Sequence, residues 1–146
     1  MKRFILFLAF ILFVSSYGTF FVYAESAYYN DFKYEIRNNS IYITDCNSNS
    51  ENIVIPDEIN GLPVTTIDEG AFSNLDTLKS ITIPDSVTRI HSNAFADCTN
   101  LVNVVLPDCL TAIEENLFYN CQSLEKIHIP EYSGIFLCLS EIVLKM

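Results

Sequence analysis

The side chains best equipped for chemistry in this chain are five cysteines, Cys46, Cys98, Cys109, Cys121 and Cys138, and two histidines, His91 and His128. Residues of these types could build a zinc site or a thiolate–imidazole pair. A structural zinc site needs four nitrogen or sulfur ligands, usually arriving in closely spaced pairs. The chain has no CxxC, so no metal is expected. A nucleophilic thiol needs a base, an orienting partner and an oxyanion site in one place. The residues aligned around His91 and His128 supply no such set, so no catalytic residue and no cofactor is expected, and both histidines read as solvated surface residues. The run Asp45-x-Asn47-x-Asn49-x-Glu51 alternates oxygen ligands like the start of a calcium loop. Ser50 stands where the loop glycine belongs and Pro56 where the bidentate glutamate belongs, so a polar turn is the expected structure.

The cysteine spacing carries a different message. Cys98 and Cys121 stand 23 residues apart, as do Pro84, Pro107 and Pro130. The same interval links Ile67, Ile90 and Ile113; Phe72, Phe95 and Phe118; Leu78, Leu101 and Leu124; Ile81, Val104 and Ile127; and Ile83, Leu106 and Ile129. Such a period marks a repeat architecture, in which each unit buries its apolar face only against its neighbours. Pro56 precedes Pro84 by 28 residues, and the five extra residues fall in Asp57 to Pro63 around the turn dipeptide Asn60-Gly61. A surface loop on the first coil is expected there.

Two periods lie within each unit. Ile81-x-Ile83 alternates, as a short strand does, and Pro84 then ends the ladder. Ile90, Ala94, Phe95, Cys98 and Leu101 fall at helical offsets, with Ser92 or Asn93 available to cap a short helix. One strand and one short helix per coil is the unit of a leucine-rich repeat, so the expected fold is an α/β repeat solenoid over residues 53–130, of about three coils. Tyr34-x-Ile36 and Ile41-x-Ile43 flank Asn38-Asn39-Ser40, which predicts a β-hairpin within residues 25–52. It is expected to cap the N-terminal end of the solenoid.

Export sets the surroundings. Met1 to Ala24 reads as a secretory signal peptide: Lys2 and Arg3, an apolar core from Phe4, and Val22-Tyr23-Ala24 before the expected cleavage. An uncleaved membrane anchor is the alternative, because Phe4 to Tyr23 is nearly continuous. Loss of Lys2 and Arg3 takes the net charge from −10 to −12, which argues against nucleic-acid partners and anionic lipid. Disulfides are permitted outside the cell, but five cysteines leave one unpaired. Cys98 and Cys121 share a column on neighbouring coils, within reach of a disulfide, but Leu75 fills the same place one coil earlier, so buried thiols are the expected state. Cys109 aligns with Ser86 and is expected to be exposed; its pairing with Cys46 or Cys138 stays open. The tail 131–146 breaks the pattern and is apolar. Truncation of a longer array or divergence from the repeat is its expected origin, a folded-over cap the alternative, and self-association through it the expected consequence.

The runs Ile83-Pro84-Asp85-Ser86-Val87-Thr88-Arg89-Ile90, Asn93-Ala94-Phe95-Ala96-Asp97-Cys98-Thr99-Asn100-Leu101 and Val104-Val105-Leu106-Pro107 resemble the BspA-like leucine-rich repeat. The resemblance recurs at Leu106 to Pro130 and, with the insertion, at Ile55 to Pro84. It implies a microbial secreted or surface protein whose repeats mediate adhesion or protein recognition, with no conserved catalytic residue. Inward strand residues force their neighbours outward. Asn52, Val54, Ser80, Thr82, Asn103, Val105, Lys126 and His128 are therefore the expected partner-binding residues, lining a concave sheet that holds an extracellular protein or glycan. A structural spacer, or a non-functional remnant of a longer array, is the alternative.

Overall fold

A computed structural model describes residues 26–111 and 114–128. The expected signal segment 1–24, the tail 131–146 with Cys138, and Ile113, Ile129 and Pro130 lie outside the described residues.

Strands form where β-branched and aromatic residues alternate with polar ones. The chain opens on β1 (Ala27–Tyr29), β2 (Phe32–Arg37) and β3 (Ser40–Cys46), each antiparallel to the next. Asn38 and Asn39 make the β2–β3 turn with φ of 50° and 60°. Two consecutive positive φ values suit the right-handed twist of a hairpin, and asparagine accepts them at low cost.

From there the chain winds. It passes through β4 (Asn52–Val54), β5 (Glu58–Ile59), β6 (Leu62–Ile67), β7 (Ser80–Thr82), β8 (Arg89–Ile90), β9 (Asn103–Val105) and β10 (Lys126–His128). Two parallel ladders result. One runs β4, β7, β9, β10, and its strands match residue for residue, Ile53 to Ile81 to Val104 to Ile127. The other runs β3, β6, β8, with Ile43 beside Ile67 and Ile67 beside Ile90. The four parallel strands of the first ladder give about four turns of solenoid, one more than the spacing of the prolines predicts. Ile90, assigned above to a helix, stands in β8. The strand signal was present in the β-branched run Val64-Thr65-Thr66-Ile67, one coil earlier.

The short helices are absent among the described residues: turns take their place at residues 69–74, 92–97 and 115–120. The physical reason lies in two columns of left-handed residues. Gly70, Asn93 and Asn116 have φ of 66°, 56° and 57°, and Asn74, Asp97 and Asn120 have φ of 60°, 61° and 58°. A right-handed helix cannot pass through such a residue, and the columns leave only three residues between them in each coil. Single turns close locally, as where Ser73 N donates to Gly70 O at 2.9 Å and Ala96 N to Asn93 O at 3.0 Å, but other amides bond to the next coil in place of continuing a helix. Phe72 N donates to Ala94 O at 2.8 Å, Asn74 N to Ala96 O at 2.9 Å, Phe95 N to Leu117 O at 3.1 Å and Asp97 N to Tyr119 O at 2.8 Å. Asn93, expected as a helix cap, is one of the residues that forbids the helix.

The core is the set of repeated columns. Phe72, Phe95 and Phe118 stack with centroids 5.4 and 5.6 Å apart, and Phe32 of β2 meets Phe72 edge-on at 6.1 Å. Each such pair adds about 0.5–1.5 kcal/mol beyond its area. The hairpin thus lays Phe32 and Tyr34, both buried, over the first coil. The insertion is more ordered than a loop. Its β5 pairs antiparallel with the start of β6, Asn60 and Gly61 turn at φ of 54° and 79°, and Ile59 is fully buried.

Candidate functional site

Strands of the four-stranded ladder are three residues long, and the middle one points into the core: Ile53, Ile81 and Val104 are buried. The flanking residues must then face out. Register sorts them into two rows running along the solenoid. Asn52, Ser80, Asn103 and Lys126 form one row, and Val54, Thr82, Val105 and His128 the other. All eight residues expected on the outer face are there. Ser80, Thr82, Asn103 and Val105 are half-buried by their neighbours, while Asn52, Val54, Lys126 and His128 are exposed. Val54 is 70% exposed, the largest value among the exposed large apolar residues. Asn103 Nδ2 donates weakly to Ser80 Oγ at 3.5 Å, leaving most of the polar row's bonding capacity open.

Beside the second row the chain turns at Pro56, Pro84 and Pro107. A groove of about 470 Å³ follows that corner, lined by Val54, Thr82, Val105 and His128 on the sheet and by Asp57, Asp85 and Asp108 on the far rim. Its floor is the buried Ile55, Ile83 and Leu106. A polar row, a mixed row in which Val54 and Val105 alternate with Thr82 and His128, and a line of carboxylates therefore lie side by side. This arrangement can hold an extended ligand by hydrogen bonds and apolar contact; it contains no nucleophile with an adjacent base. The aspartate band escaped the reading of the sequence because Asp after Pro is ordinary turn chemistry. The 23-residue recurrence of Pro-Asp at 84–85 and 107–108 was the available signal.

The cysteines sit elsewhere. Cys46, Cys98 and Cys121 are buried free thiols, and Cys109 is free and exposed. Cys98 Sγ donates to Phe72 O at 3.0 Å and Cys121 Sγ to Phe95 O at 3.1 Å, so each thiol bonds a backbone carbonyl rather than the other sulfur. Burial raises the pKa of Cys98, and pushes those of Cys46 and Cys121 up to about 12. A thiol held protonated is a poor nucleophile.

His91 departs from the expectation of a solvated residue. Its Nδ1 lies 2.9 Å from Glu114 Oε1 and its Nε2 4.0 Å from Asp68 Oδ1. Arg37 extends the row, 3.0 Å from Asp68 Oδ2 and 2.8 Å from Glu35 Oε2, with its guanidinium 4.7 Å above the Tyr42 ring. Asp68, His91 and Glu114 are 23 residues apart, a column that the apolar positions drew attention away from. The Asp45 to Glu51 run does not converge on a common centre. Ser48 Oγ donates to Asp31 Oδ2 at 2.8 Å, and Glu51 Oε1 takes Lys79 Nζ at 2.7 Å.

Comparison with known proteins places these features. A family model described as the BspA type leucine rich repeat region matches residues 35–136 in 6 copies. A leucine-rich-repeat protein of T. pallidum has a similar structure, with 32% identity, a TM-score of 0.68 and coverage of 73% of this chain and 50% of its own. One from Bacteroides ovatus gives 22% identity and a TM-score of 0.67, covering 73% of this chain and 30% of its own. The pneumococcal vaccine antigen PcpA gives 19% identity and a TM-score of 0.51, covering 75% of this chain and 39% of its own. This chain thus spans half or less of the length of these three. A search of curated proteins gives no match. With the coil-to-coil register, the left-handed columns and the matched repeats in agreement, the chain belongs to the family of BspA-type leucine-rich-repeat proteins.

Proposed function

We propose that this protein is a non-enzymatic recognition module that works outside the cell, holding an extracellular protein or glycan on the outer face of its four-stranded sheet. The observation that carries the reading is the pair of registered rows, Asn52–Ser80–Asn103–Lys126 and Val54–Thr82–Val105–His128, which keep polar and apolar groups open on one face. Val54 and Val105 stand in the same row with polar groups beside them, a mixed surface of the kind that contact faces present. Two relatives support the setting: the structure of a leucine rich cell surface protein from Faecalibacterium prausnitzii has a TM-score of 0.54 at 21% identity, and PcpA is described as a vaccine antigen. The expected signal peptide points the same way.

The test is capture of extracellular proteins and glycans on immobilised residues 25–146. The comparison is a variant carrying Asn103→Thr, Val105→Arg, Lys126→Thr and His128→Thr. Threonine suits a strand, so the fold is retained. Capture should fall at least about tenfold, which corresponds to about 1.4 kcal/mol of contact energy, with the thermal midpoint unchanged. A second reading, a spacer within a longer array, draws on the coverage of half or less of the relatives' lengths. Capture that is absent from the native protein would favour it.

A further inference from the structure

The groove beside the second row differs from the rest of the outer face in one respect: its charge has a single sign on its far rim. Asp57, Asp85 and Asp108 are all exposed, and no ion pair engages them among the described residues. The cations found in pairs are committed elsewhere, Arg37 to Glu35 and Asp68, and Lys79 to Glu51. Asp85 Oδ1 accepts the Asp108 N–H at 3.0 Å, so the carboxylates of neighbouring coils follow the same stacking as the strands. Adjacent strands are about 4.8 Å apart. Three like charges on successive coils along one rim, on a body of strongly negative net charge, make a rail of negative potential along the solenoid. The opposite wall carries no carboxylate: Val54, Thr82 and Val105 present methyl groups, and His128 stands at its last strand.

We propose that the groove takes an extended polypeptide segment in which lysine or arginine alternates with apolar residues, lying along the solenoid axis across the strands. This rests on the recognition reading above and gives it a partner chemistry. In an extended segment, successive side chains point to opposite sides. One side meets the aspartate rail, and the other covers Val54, the Thr82 methyl and Val105. A polyamine would satisfy the rail alone and leave the apolar wall bare; an acidic segment would be repelled by it.

Three synthetic probes separate these cases by fluorescence anisotropy: a dodecapeptide of alternating Lys and Val, its counterpart of alternating Glu and Val, and spermine as an unlabelled competitor. The Lys peptide should bind about tenfold more tightly than the Glu peptide, with spermine a weak competitor, and its affinity should fall as salt rises. The variant Asp57→Asn, Asp85→Asn, Asp108→Asn keeps the carbonyl that accepts the Asp108 amide and removes only the charge. It should lose that preference while keeping its thermal midpoint. Equal binding of the Lys and Glu peptides, or an unchanged preference in the triple variant, would overturn the proposal, as would spermine competing as strongly as the Lys peptide. A natural partner that the four-residue sheet variant loses but the triple aspartate variant keeps would sink the inference and leave the recognition reading standing. Retention of that partner by the sheet variant would remove both.

Discussion

Buried thiols stacked in a repeat column do structural work through a proton. Cys98 and Cys121 each give theirs to the carbonyl of a phenylalanine in the preceding coil, Phe72 and Phe95. Burial is the main cause of the raised pKa values, with Asp31 adding to it at Cys46 and the Cys98 sulfur adding to it at Cys121. The consequence for stability has a definite sign. In the unfolded chain these thiols ionise near their ordinary value of 9.0; in the folded chain Cys46 and Cys121 hold on until about 12. The contribution of these two thiols is therefore fully present below about pH 9 and is lost as pH rises toward 12, by at most about 1.4 kcal/mol per pH unit for each thiol. Urea midpoints measured between about pH 8 and 11 should fall less steeply in Cys121→Ala than in the native protein, because that variant releases one proton fewer on unfolding. Superimposable slopes would mean that the Cys121 proton contributes nothing.

At the scale of elements, the arcs between strands decide how the coil closes. Asn93 holds a left-handed conformation that costs a residue such as alanine about 1 kcal/mol. Asn93→Ala should lose about that much in denaturant unfolding, and Asn93→Gly only a few tenths. A helix at this position would reverse the order, since alanine is the best helix former and glycine among the worst. The same arcs mark the boundary of what the sequence reveals. Strands were legible because Ile81 and Ile83 alternate around Thr82, and that parity also assigned all eight residues of the two outer rows. The arcs were not, because Ala94, Phe95 and Cys98 recur at offsets that a helix and a tight turned ribbon share. Only the paired columns of Gly, Asn and Asp distinguish the two. Val87 to Ile90 was similarly too short to alternate visibly, so the second ladder went unseen. The aspartate rail was hidden by a residue type whose turn chemistry is sufficient explanation for its presence.

Across the whole molecule, stability is distributed along one axis. Each coil is bonded chiefly to its two neighbours: Ile83 N to Val105 O at 3.1 Å, Leu106 N to His128 O at 3.1 Å and Thr88 N to Thr65 O at 3.0 Å. In such an array, interior units open only after their neighbours have. Hydrogen exchange should therefore find the amides of Phe72, Asn74 and Ile83 slowest, and those of Glu125 and Lys126, which bond to Val102 O at 3.0 Å, faster. Uniform protection along the axis would instead indicate a single cooperative unit. The phenylalanine stack has one more implication, for inheritance rather than folding. Because Phe95 presents to Phe118 nearly the face that Phe72 presents to Phe95, excision of residues 84–106 would seat Phe118 on Phe72 and join Ile83 to Pro107 as it is now joined to Pro84. A gene built this way can lengthen or shorten the array one coil at a time by unequal crossing-over with the phenylalanine stack preserved, although loss of His91 would set Glu114 against Asp68.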